Sequence, residues 1–232
     1  MIPKIIHYAW FGNTRIPDNV KWCIESWHTH NPDFKIKLWN ESTIDLTSHP
    51  FASRMYKEKK WAFVVDHIRL VILEQEGGIF LDADMYLQQS LSPLLEKECV
   101  LGKESDDVIS AGMIACSPHH PFIKQCLSFY ESNPKDLVTI PRVLTTTLAS
   151  YKDRDTIFVY PPKTFYPIDA DHIHTYKGEY LGDDVLGVHL WNYSWGHPLN
   201  KLFKKIGIYR VGKKVAETLK IKHLLKKLLG FV

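Results

Sequence analysis

The chain has 232 residues, of which 45% are hydrophobic, 24% charged and 12% aromatic. That composition fits one globular domain, or one plus an appendage, and it excludes disorder, collagen and coiled coil. The net charge of +3 conceals an asymmetry: residues 201–232 carry ten Lys or Arg against the single acid Glu217, whereas residues 1–200 have an excess of acids. The expected organisation is therefore a mildly acidic domain over 1–200 and a basic tail over 201–232.

The opening MIPKIIHYAW lacks the basic leader and small-residue cleavage site of a signal peptide. The uncharged run through Leu186–Asn200 is too short and too polar to span a bilayer as a helix. Cys23, Cys99, Cys116 and Cys126 show no CxxC spacing, which points to reduced structural thiols in a cytoplasmic protein.

In chain order, Pro3–Phe11 reads as a strand closed by Gly12-Asn13, and Pro17-Asp18 opens a helix carrying Val20, Ile24 and Trp27 on one face. Phe34–Trp39 alternates as a half-exposed strand. Trp61–Glu76 keeps the helical period through Ala62, Val65, Ile68 and Ile72 until Gly77-Gly78 stops it. Ile79–Leu81 is a short apolar strand, Val108–Cys116 another, and His120–Glu131 a helix. Ile157–Tyr160 and Val185–Trp191 are the last strands, with Lys-rich helices after Leu199. Alternating strands and helices predict an α/β sandwich with a mixed, mainly parallel sheet.

The chemistry concentrates where Ile79–Leu81 runs into Asp82-Ala83-Asp84. Carboxylates two apart project together only if the strand breaks there, and side by side they repel unless a cation neutralises them. Mg²⁺ or Mn²⁺ would do so and keep positions open for phosphate oxygens. Asp66 and Arg69 lie three apart on the preceding helix, either a plain intrahelical ion pair or, among apolar neighbours, a pair with work beyond stability. Tyr8 and Trp10 share one face of the first strand, able to stack a nucleotide base or to pack in the core.

The stretch AFVVDHIRLVILEQEGGIFLDADMY, residues 62–86, resembles the signature of the DxD sugar transferases of glycosyltransferase family 32, and through them the clostridial toxin glucosyltransferases. IPKIIHYAWFG at residues 2–12 is similar to the family's opening strand, and HLWNYSW at 189–195 to its late His–aromatic segment. Thr139–Thr145 resembles the family's Thr-Gly-Pro-x-x-Leu-Thr, with Ile140 in place of the glycine.

The resemblance implies a GT-A fold, a nucleotide-sugar donor and transfer with retention. It implies catalytic roles for Asp66, Arg69, Asp82 and Asp84, with Arg69 and Asp66 gripping sugar hydroxyls. It implies a metal held by Asp82 and Asp84, the third ligand being His189 or, as in the toxin relatives, Asn192 or Ser194. Donor contacts are then expected from Tyr8, Ala9, Trp10, Gly78, Ala83, Asn192, Ser194 and Trp195 as well. The expected partners are the donor and a saccharide or lipid-linked glycan acceptor.

Asp169, Asp171, Asp183 and Asp184 are acceptor-side candidates or a solvated loop. The tail alternates leucines and lysines as a basic amphipathic pattern suited to an anionic membrane surface, which places the protein on the inner face of the cell membrane. Lacking stacking aromatics at base spacing, it does not suit nucleic acid. Two rival readings use the same residues. A haloacid-dehalogenase-type phosphatase also runs an apolar strand into DxD, although usually on its first strand and with Thr or Val where Tyr86 stands. A non-enzymatic membrane scaffold would use only the tail.

Overall fold

The computed structural model describes residues 1–192. Strand β1 (Ile5–Ala9) is buried along nearly its whole length, and helix α1 (Asp18–His30) follows Pro17. The buried positions of α1 are Val20, Cys23, Ser26 and Trp27, so Cys23 occupies the inward place expected of Ile24. The edge strand β2 (Lys35–Trp39) is half-exposed, as its Lys alternation requires. Helix α2 (Pro50–Lys57), which has no counterpart among the expected elements, has Pro at its first turn and buries Phe51, Ala52 and Met55.

Helix α3 (Trp61–Glu76) is buried almost all round, from Phe63 to Leu73 except at Asp66, as suits a helix packed against both the sheet and neighbouring helices. It ends at Gly77, whose φ of +63° leaves its N–H on the Leu73 carbonyl at 3.0 Å. Strand β3 (Gly78–Leu81) is fully buried, and β4 (Met85–Leu87) follows after a turn. Strands β5 (Cys99–Ser105) and β6 (Val108–Cys116) form a hairpin. Helices α4 (Pro121–Ser132) and α5 (Ile140–Ser150), strand β7 (Ile157–Tyr160) and strand β8 (Gly187–His189) complete the described elements.

Six strands form one sheet in the order β2-β1-β3-β6-β5-β7. The β2–β1, β1–β3 and β5–β7 pairs are parallel, while β6 runs antiparallel to both neighbours. The sheet is thus mixed and mainly parallel. The last strand departs from the expectation: only Gly187–His189 is extended, and it pairs antiparallel with β4 in a separate two-stranded sheet. Helix α1 carries that small sheet, because Trp27 Nε1 donates to the Met85 carbonyl at 2.6 Å and Ser26 Oγ accepts from the Leu87 N–H at 2.9 Å.

Two units are distinguished along the chain. The first holds 1–167 and 180–189, with all the elements above. The described part of the second is 168–179 and 190–192, where the Asp169 carboxylate accepts from the Asp171 and His172 N–H groups and Trp191 Nε1 donates to the Ile168 carbonyl. The expected boundary at 200/201 and the tail lie outside the described residues.

Candidate active site at the end of the third strand

The sheet leaves off at Leu81. Asp82 still bonds to β6 through its N–H, 2.8 Å from the Gly112 carbonyl, and then the chain turns, with the Met85 N–H on the Asp82 carbonyl at 2.9 Å. That turn is the break the two carboxylates need in order to project together, and Ala83 lies within it. The β4–β8 register sets Met85 opposite His189, so the small sheet delivers an imidazole to the same spot.

His189 Nε2 lies 3.5 Å from Asp82 Oδ2 and 3.3 Å from Asp84 Oδ1. One ligand atom from each of Asp82, Asp84 and His189 falls within 4.8 Å of the other two. The Asp82 side chain is 29% exposed, Asp84 13% and His189 12%. Two carboxylates and an imidazole converging half-sheltered fit a hard divalent cation. Burial alone would lower the His189 pKa, but the Asp84 and Asp82 carboxylates outweigh it and hold the ring at about 10.

Arg69 stands beneath this cluster with 4% of its side chain exposed. Nη2 donates to Asp82 Oδ1 at 2.7 Å and Nη1 to the Ala111 carbonyl, while the guanidinium lies over the Phe80 ring at 4.8 Å. Burial would raise the Asp82 pKa, yet Arg69, with His189, brings it down to about 2. The i,i+3 ion pair expected between Asp66 and Arg69 does not form. Asp66 instead turns to α5, where Oδ2 accepts from the Ile140 N–H at 3.1 Å. Burial pushes the Asp66 pKa up to about 7 against the opposing pull of Arg69. Nη1 and Nη2 of Arg69 thus each hold a protein oxygen, which makes support of Asp82 the contact the structure gives this residue.

The other anticipated residues divide by place. Extending the β1–β3 register brings Ala9 level with Asp82, at the carboxyl end of parallel strands where α/β folds bind ligands. Tyr8 packs edge-on against Trp27 at 5.3 Å and Trp10 Nε1 donates to the Thr14 carbonyl at 3.0 Å, and both rings are buried. Gly78 sits at the opposite end of β3 from the carboxylates. Its φ is +92°, and a Cβ there would lie 2.8 Å from His7 Nε2 and from the Ile5 carbonyl, so backbone fit rather than donor contact requires the glycine. Asn192 belongs to the second unit, and Ser194 and Trp195 lie outside the described residues. Asp183 and Asp184 are exposed, partnered by Tyr180 and Lys163.

Three residues join the site without having been expected there. Ser110 and Gly112 on β6 and Tyr166 line the side of the cluster: Ser110 Oγ donates to the Tyr166 hydroxyl and accepts from the Gly112 N–H at 3.2 Å. A Cβ on Gly112 would collide with the Tyr166 hydroxyl and crowd His189 Cδ2 at 3.1 Å. The sequence signal for them is a glycine inside an apolar strand, which marks a bulge or a close approach.

Residues 17–101 match the model of the glycosyltransferase sugar-binding region containing the DXD motif. Inositol phosphoceramide mannosyltransferase 3 of Schizosaccharomyces pombe is 30% identical over 128 residues, 53% of this chain and 36% of that protein. The chain spans little more than a third of the length of the first curated relatives it matches. Among solved structures, the PaToxG glycosyltransferase superposes with a TM-score of 0.55 at 22% identity, covering 66% of this chain and 71% of that one. The galactosyltransferase LgtC, solved with donor and acceptor sugar analogues, gives 0.51 at 12% identity over 82% and 87%. The fold is therefore the GT-A sandwich of these solved glycosyltransferases, and residues 17–101 match the DXD-motif sugar-binding region that the sequence resembles.

Proposed function

We propose that this protein transfers a hexose from a nucleoside-diphosphate sugar, a UDP-sugar first among them, to a glycan or lipid-linked saccharide, in a divalent-metal-dependent reaction with retention. The observation that carries this reading is the convergence of Asp82, Asp84 and His189 at the carboxyl ends of parallel strands, above a buried arginine. Asp82, Asp84 and His189 would hold Mn²⁺ or Mg²⁺. Such a cation, when bound, neutralises the negative charge that grows on the leaving diphosphate.

The chain's own contribution is preorganisation. Arg69 keeps Asp82 ionised and fixed through a charge-assisted bond, so little reorganisation remains when the donor arrives. Asp66 is turned away to the α5 N-terminus, and among the described acids at the cluster Asp82 and Asp84 are the metal-binding pair. That leaves no described carboxylate of the cluster as a covalent nucleophile, which supports a front-face retaining mechanism. The name of the fungal relative brings mannose into the donor class and a lipid into the acceptor class.

No described helix is long and apolar enough to cross a membrane. The Lys-rich tail, read from sequence, supports recruitment to an anionic membrane face. Removal of residues 201–232 should abolish binding to anionic vesicles, and salt should weaken the intact chain in the same way.

The test of the reaction is a screen of nucleotide sugars for Mn²⁺-dependent hydrolysis, with the anomer of the released sugar read by NMR. Release of the retained anomer from a UDP-hexose is expected. Hydrolysis of phosphomonoesters without action on any nucleotide sugar would return the site to the phosphatase reading.

A further inference from the structure

We infer that Tyr166, held by Ser110, is a positioning residue that fixes the His189 imidazole toward the Asp82–Asp84 pair, and that the bulge of β6 is the common anchor of all three. The inference rests on the reading of Asp82, Asp84 and His189 as a metal site.

The register of β5 against β6 matches Leu101 with Ile114 and then jumps, Gly102 pairing with Ser110. Residues 111–113 of β6 are left without partners on β5, which is what a bulge does. Two carbonyls of that segment serve the site instead: Ala111 accepts from Arg69, and Gly112 from the Asp82 N–H at 2.8 Å. The backbone and the counter-charge of Asp82 thus both hang on the bulge.

His189 is tied to the same segment through Tyr166. The His189 N–H donates to the Phe165 carbonyl at 3.0 Å, which sets the neighbouring Tyr166 ring against the imidazole, 5.4 Å between centroids and tilted by 44°. The phenol oxygen and His189 Cδ2 both crowd the space that a Cβ on Gly112 would need. Ser110 Oγ–H then pins the phenol, and its own oxygen is pinned by the Gly112 N–H. The Tyr166 ring, held through Ser110 and the Gly112 N–H, thus walls one side of the imidazole, whose Nε2 faces the carboxylates. Groups one step behind a metal ligand orient it and tune affinity, and here the orienting contact is ring packing. If Tyr166 only filled space, phenylalanine would serve as well. A buried hydroxyl costs free energy unless its bonds are used.

The experiment is titration of Mn²⁺ alone into the full chain, by calorimetry and by loss of the free-ion paramagnetic resonance signal, in wild type, Tyr166→Phe, Ser110→Ala and the control Tyr56→Phe, whose hydroxyl on α2 donates to Glu41. Expected is at least a roughly tenfold rise in Kd for Tyr166→Phe, a smaller rise for Ser110→Ala, and none for Tyr56→Phe, at unchanged far-ultraviolet dichroism. If Tyr166→Phe does not fold, Ser110→Ala decides. Tight binding by wild type with Kd unmoved in both variants overturns this inference alone. Absence of Mn²⁺ binding by wild type overturns the metal reading and this inference together.

Discussion

The two ends of β3 each meet a histidine, one buried and one partly sheltered, and the two rings are driven in opposite directions. At the glycine end, His7 is wholly buried; Trp39 Nε1 donates to its Nδ1 at 3.1 Å, and its Nε2 stands 3.0 Å from the Gly77 carbonyl. One ring nitrogen accepts and the other donates, which satisfies the neutral imidazole and would set a charged one's extra proton against the indole N–H. Burial pulls its pKa down to about 4, more than Glu76 pulls it up. At the aspartate end, His189 is nearly as sheltered, yet two carboxylates hold it at about 10. Shelter from water is common to both. The neighbours decide the charge, and the contrast separates a structural end of the strand from a chemical one.

The hardest test of that contrast is to remove a carboxylate from the chemical end. Asp84→Ala should keep the fold, because His189 retains Asp82 as a partner, while turnover at saturating Mn²⁺ falls roughly a thousandfold, the several kcal/mol expected when a cation loses a ligand at the reacting phosphates. Donor turnover and thermal melting measured together check it; near-normal turnover would erase the distinction between the ends.

Gly112→Ala attacks the wall of the same end. The added methyl has no space beside Tyr166 and His189, so unfolding free energy should drop by about 1–3 kcal/mol, with turnover falling too. Urea titration reads the first effect and a donor assay the second.

The structural end is tested by pH. A histidine whose folded pKa is lowered from 6.5 to about 4 binds its proton more weakly in the native state, so its contribution to stability declines as pH falls through 6.5 toward 4. His7→Gln keeps a donor and an acceptor but cannot titrate. Between pH 7 and pH 5 the wild type should therefore lose on the order of 2 kcal/mol relative to that variant, read as the difference between their urea midpoints at each pH. A difference independent of pH would contradict the neutral assignment of His7.

Much of this fold is legible in the amino-acid sequence, and what is not has physical causes. Helix α3 and strand β6 are legible to the residue because long apolar periods override everything local. Strand β5 is not, because CVLGKES offers three apolar residues and then Gly and Lys, and its pairing partner supplies the rest. Helices α2 and α5 are short and bury their faces only in tertiary context, where propensity says little. The convergence of the DxD carboxylates is legible because two acids at the end of a buried strand repel each other at a cost that a bound cation would remove, which marks them as a candidate cation site. Arg69's true partner is not, since i,i+3 spacing points to Asp66 whereas Asp82 is reached only once α3 packs under the end of β3.

That partner defines the smallest of the expected effects. Arg69 makes two bonds with a rigid fork, to Asp82 and to the Ala111 carbonyl, and lysine offers one compact head in their place. Arg69→Lys should lower kcat and kcat/KM together by at least roughly tenfold, about 1.4 kcal/mol of barrier, with a lower melting temperature as well. Loss of kcat at unchanged melting temperature would mean that Arg69 meets the substrate rather than holding Asp82.

If the chemical end of β3 binds a nucleoside diphosphate through a cation, ligand and metal must protect the fold together and not separately. Melting of the full chain is followed with UDP, GDP or ADP, each with and without Mn²⁺, at concentrations well above the expected Kd. UDP should raise the melting temperature only when Mn²⁺ is present, Asp84→Ala should remove the rise, and His7→Gln should preserve it. Equal protection with and without Mn²⁺, or a rise that survives Asp84→Ala, would contradict a cation-bridged diphosphate at this end of the strand.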